Sequence, residues 1–130
     1  MEYCFSKTLN NLTFQEVVEK TKQVLQTEGF GVISEIDLDK TLKEKLNIDF
    51  KKYKILGACS PRFAHQAVLA EDDIGVFLPC NIVVTEIKAT GAIKVSIVNP
   101  EASMMAVKNE KLAAIADEIK AKLQWVLKSI

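Results

Sequence analysis

Two spacings of apolar residues alternate along this chain, and together they predict its elements. Near the end, Leu112, Ile115, Ala116, Ile119, Leu123, Val126 and Leu127 recur every three or four residues, the stripe of an amphipathic helix. Before it, Ile93, Val95 and Ile97 alternate with Lys94 and Ser96, which predicts a strand over 92–98 with one wet face. A strand over 80–88 precedes that one. The short Ala89-Thr90-Gly91 link makes the two an antiparallel hairpin.

The first half repeats the alternation. Glu2 to Leu9 reads as a strand containing Tyr3, Cys4 and Phe5. Thr13 stands three residues before Glu16, the capping-box spacing, and Leu12 and Val17 occupy hydrophobic-staple positions. Val17, Val18, Thr21, Val24 and Leu25 then follow at helical spacing, and Gly29 is a natural stop. Phe30 to Ile36 is a β-branched second strand. Asp37 to Leu46 reads as a short helix with Leu38, Leu42 and Leu46 on one face. Its acids lie at the start and Lys43 and Lys45 at the end. Tyr53 to Cys59 is apolar enough to be a central strand, and Pro61 to about Ala70 is a third helix. Asn99 caps a short helix over 100–107.

The main order is β-α-β-α-β-α-β-β-α. The closing hairpin excludes a purely parallel, doubly wound sheet. The expectation is an α+β fold with a mostly antiparallel sheet and helices mainly on one face. Three prolines, five glycines, no repeat and no low-complexity tract across 130 residues predict a single domain over 1–130.

Charge narrows the partners. Seventeen basic and 17 acidic residues give a net charge of zero, without the basic excess of a duplex-binding protein, so no nucleic-acid partner is expected. No apolar run approaches the ~20 residues that span a bilayer, and no charged start leads into a long apolar run, so no membrane or secretory role is expected. Three cysteines without disulfide-framework spacing point to reduced thiols and a cytoplasmic location. Arg62 is the one arginine among the basic residues, and only arginine offers a planar fork for carboxylate or phosphate.

Arg62 lies in GACSPRFAHQ, residues 57–66, where a strand meets a helix. Ser60 is a good N-cap and Pro61 a good first helical residue. Cys59 thus precedes a helix start, where free N–H groups favour a thiolate or an external anion. The plainer reading is a buried, inert cysteine. Pro79-Cys80-Asn81 forms a second junction. Antiparallel pairing of the Tyr53 and Cys80 strands would bring Cys59 and Cys80 together. With His65 they are candidates for zinc or a softer metal, although Cys-x5-His followed by Cys80 matches no compact finger and no CxxC is present. Cys59 and His65 are also a candidate nucleophile and base, and Cys59 and Cys80 are the candidate catalytic or redox cysteines. No phosphate loop or GxSxG occurs. Glu71-Asp72-Asp73 reads as a solvated helix end, Met104 and Met105 as packing, and Trp125 as core or a subunit contact.

GACSP, AHQAV, DIGVFLPCNIVV and VNPEA together resemble the family catalogued as domain of unknown function 302, over nearly the whole chain. The shared positions include Gly57, Ala58, Cys59, Pro61, Ala64, His65, Ile74, Gly75, Leu78, Pro79, Cys80 and Asn81, while Ser60 replaces the usual asparagine. The resemblance implies an α+β fold of the TATA-binding-protein-like type, with homodimers common, and no settled activity or cofactor. Fold likeness carries no DNA function. Three readings stand. The first is a module binding a small ligand or anion through Cys59, Ser60, Arg62, His65, Cys80 and Asn81. The second is a thiol or zinc protein, and the third a structural homodimer with inert cysteines.

Overall fold

The first helix starts as its spacing requires. The Thr13 hydroxyl accepts from the Glu16 N–H at 3.1 Å, and the Glu16 carboxylate accepts from the Thr13 N–H at 3.0 Å. The computed structural model describes residues 1–130. Its strands are β1 (Cys4–Leu9), β2 (Gly31–Asp37), β3 (Tyr53–Cys59), β4 (Cys80–Ile87) and β5 (Ala92–Val98). Its helices are α1 (Phe14–Thr27), α2 (Leu38–Leu46), α3 (Pro61–Ala70), α4 (Pro100–Met104) and α5 (Glu110–Ser129). Gly29 leaves α1 at φ +81, the left-handed value that suits glycine at a helix exit.

The five strands form one sheet in the order β1-β5-β4-β3-β2, and every neighbouring pair is antiparallel. The α+β fold expected from the apolar spacing is therefore the one observed. Register explains the two faces. Leu56 pairs with Ile82 and Ala58 with Cys80, while Ile82 pairs with Ile97 and Val84 with Val95. These side chains share the face covered by α1, α3 and α5, which add Val18, Leu25, Phe63, Ile119, Leu123 and Val126 to one core. Residues between them in sequence, such as Asn81, Val83, Lys94 and Ser96, take the opposite face.

Magnitudes identify what holds the helices down. Each fully buried Leu, Ile or Val contributes roughly 1.5–3 kcal/mol. The ion pair joining α1 to β2, Lys22 with Glu35 at 2.8 Å, is partly exposed and is worth roughly 0–1 kcal/mol. Their contact raises the Lys22 pKa and lowers that of Glu35. Apolar burial dominates.

The helix α2 forms as expected with its leucines spaced along one face, although none is fully buried and Leu46 is 61% exposed. Two local expectations, the packing of Met105 and the length of the helix after Asn99, are corrected. Met104 packs against Ile74 and Leu112, but Met105 faces water, and Trp125 is outside the core. Glu71 caps the end of α3 with Asp72 and Asp73 exposed, the solvated helix end expected, and Asp72–Phe77 continues as a 3-10 helix. Its Ile74 is pinned beside Ala67 and Ala116, and that burial holds the turn in place. The helix after Asn99 stops at Met104, short of Val107.

Candidate functional site

Strand pairing joins the two cysteine segments. Ala58 lies opposite Cys80 and Gly57 opposite Asn81, so the end of β3 meets the start of β4. Cys59, half-buried, and Cys80, buried, line one cavity together with Ser60, Phe63 and Pro79. Its volume is about 20 Å³, room for roughly one water.

The start of α3 departs from the expected cap. Ser60 is extended and only 8% exposed, yet its hydroxyl makes no capping hydrogen bond. Thr13, Asn99 and Asn109 each accept from first-turn N–H groups of their own helices. In α3 the first backbone bond runs from the Ala64 N–H to the Ser60 carbonyl at 2.9 Å. Pro61 has no N–H, so Arg62 and Phe63 keep amides without an acceptor in the chain. This end, where Pro61 and Arg62 are exposed, combines positive partial charge with an unused hydroxyl.

The remaining predicted residues are dispersed. Arg62 and His65 are exposed on α3. The Arg62 guanidinium lies 5.5 Å from the centre of the Phe63 ring. No three His, Cys, Asp or Glu side chains converge in a metal-binding arrangement, so His65 does not join the two cysteines. Asn81 is exposed on the face of the sheet opposite Cys80. There it borders a groove of about 450 Å³ with Lys51, Tyr53, Val83, Lys94 and Ser96. The sequence reading did not select these neighbours as a site, although the alternation of Lys94 and Ser96 marked the wet face. A larger cleft of about 580 Å³ lies between α4 and α5 and contains none of the predicted residues.

Burial, with a smaller contribution from charge on Cys59, pushes the Cys80 thiol up from 9.0 to about 11. At neutral pH it is a neutral S–H and a poor nucleophile. The folded state holds this proton more tightly than the unfolded chain. The resulting stabilisation is complete below about pH 9 and is lost as pH rises through 11. Urea unfolding of wild type and Cys80→Ala across this range will measure the effect. Relative to its value near pH 8, wild type should lose about 2 kcal/mol more than the variant by pH 11. Parallel pH curves would contradict the shift.

Among known proteins, the family model described as "Domain of unknown function DUF302" matches residues 5–130. No curated protein matches the chain. A similar solved structure is the crystal structure of an uncharacterized conserved protein DUF302 from Bacillus stearothermophilus. It is 26% identical, with 99% of this chain and 98% of that chain covered, at a TM-score of 0.91. No helix here is long and apolar enough to cross a membrane. The match over 5–130, joined to the same fold in that structure, makes this chain a member of the DUF302 family.

Proposed function

We propose that this protein is a small-anion-binding module and that its site is the opening turn of α3. The observation that carries this reading is the set of unused donors there: the amides of Arg62 and Phe63 and the Ser60 hydroxyl, which is open to solvent although the residue is mostly buried. A helix N-terminus favours negative charge, and two convergent N–H groups suit an oxyanion such as phosphate or a carboxylate. Cys80 supports the reading because a protonated thiol adds no competing negative charge. Arg62, exposed at the second helical position, is available to close over the bound group. The cavity behind the turn is too small for an organic ligand, so the anion sits at its mouth.

The helix end contributes roughly 0.3–2 kcal/mol and a hydrogen bond from the guanidinium roughly 1.5–3 kcal/mol. Their sum, roughly 2–5 kcal/mol, corresponds to a dissociation constant between tens of millimolar and a few tenths of a millimolar. Isothermal titration with inorganic phosphate and with acetate tests this. Saturable binding that weakens about tenfold in Arg62→Ala is expected. Heats that never saturate, or an Arg62→Ala titration identical to wild type, would remove the site.

A further inference from the structure

The face of the sheet away from the helices carries its own chemistry. The groove there is lined by strand residues together with Tyr3 and Lys51, and by no helix residue. Its floor is Val83 and Val98, and Ser6 and Ser96 meet hydroxyl to hydroxyl at 2.8 Å beside it. Register places Tyr53 opposite Thr85 and Thr85 opposite Lys94. Lys51, two residues before Tyr53, belongs to that same end, while Asn81 and Cys4 mark the other. Asn81 and Thr85 lie four residue steps apart along β4, so the groove runs about 13 Å.

The lysines set this groove apart. Lys7, Lys22, Lys54 and Lys120 are half-buried, and each meets backbone carbonyls or a carboxylate. Lys51, Lys94 and Lys122 are also half-buried and form no ion pair or hydrogen bond. Lys51 and Lys94 share the groove, and no acidic residue lines it. Two lysines thus stand at one end of a groove lined by both apolar and hydroxyl side chains, with no counter-charge in it.

We propose that this groove binds a small organic anion, with a carboxylate or phosphate head between Lys51 and Lys94 and a flat apolar body along Val83 and Val98. The volume of about 450 Å³ lies within the range of small-molecule sites. Half-buried Tyr53 borders the lysine end, and Asn81 offers an amide at the far end, near the exposed Tyr3. A second copy of this chain is a poorer occupant. Pairing the two faces would enclose four ammonium groups with no carboxylate on either groove lining. This site is separate from the start of α3, on the other face of the sheet.

Phenyl phosphate, titrated into the 15N-labelled full chain, is the probe, with benzyl alcohol as its uncharged counterpart. Saturable amide shifts at Asn81, Val83, Thr85, Lys94 and Ser96 are expected, with benzyl alcohol at least about tenfold weaker. The double variant Lys51→Gln/Lys94→Gln should weaken phenyl phosphate about tenfold. Lys122→Gln and Arg62→Ala should leave these shifts unchanged. Equal binding of benzyl alcohol, undiminished affinity in the double variant, or shifts confined to Arg62 and Phe63 would overturn the groove site. A sedimenting dimer whose groove amides do not respond to the probe would overturn it as well, because a second copy would then be the occupant.

Discussion

Truncating Leu56 to alanine is expected to cost about 2–5 kcal/mol of unfolding free energy. Leu56 has no solvent exposure and lies in β3, flanked by β2 and β4, opposite Ile82. Its side chain belongs to the core shared with α1 and α5. A β3 backbone held by hydrogen bonds on both sides cannot move inward to fill the space, so the cavity penalty adds to the lost transfer free energy. Against a typical total stability of roughly 5–15 kcal/mol, this is a large fraction. Urea denaturation checks it. The midpoint should fall with little change in slope, because the surface exposed on unfolding is nearly the same. A loss below about 1 kcal/mol would mean the core closes over the gap.

The next residue should fail for the opposite reason. Gly57→Ala is expected to cost about 1–3 kcal/mol by overpacking. A Cβ added there would meet the Ser34 hydroxyl oxygen and stand 2.7 Å from Pro79 Cγ. Close packing, rather than a left-handed backbone, explains this glycine. The Ser34 hydroxyl can be removed, but the proline ring borders Cys80 and has little freedom. The double variant Ser34→Ala/Gly57→Ala should therefore recover part of the loss, leaving the Pro79 contact as the remainder. Strictly additive costs would show that Ser34 and the new methyl do not collide. Pro79 also lines the cavity of Cys59 and Cys80, so the substitution should disturb the α3 site through its wall.

These two neighbours show why some of the fold was legible and some was not. The Thr13–Glu16 cap, the Gly29 exit and the Ala92–Val98 alternation depend on a few residues in a row, so their spacing alone predicts them. The meeting of Cys59 and Cys80 followed from one assumption, antiparallel pairing, which the β3–β4 register satisfies. Grouping Cys80 with Asn81 ignored strand geometry: consecutive residues point to opposite faces, so the pair divides between the core and the groove. Sequence distance alone makes His65 a candidate partner of the cysteines. Phe63 and Ala67, four apart, take the buried stripe of α3 and turn His65 to solvent. The Ser60-Pro61 start predicted a helix correctly but not the unused hydroxyl, because residue type fixes the cap position and not the side-chain hydrogen bond. The 3-10 turn was hidden because Ile74 is held by residues from α3, α4 and α5.

The most direct test of the anion site is the backbone amide spectrum of the 15N-labelled protein during titration with inorganic phosphate at constant pH and ionic strength. The open donors at the start of α3 predict the largest saturating shifts at Arg62 and Phe63, with a midpoint between a few tenths of a millimolar and tens of millimolar, on the order of the summed contributions. They also predict that Arg62→Ala moves the midpoint without abolishing the Phe63 shift. If neither amide responds while phosphate perturbs residues elsewhere, the opening turn of α3 is not an anion site.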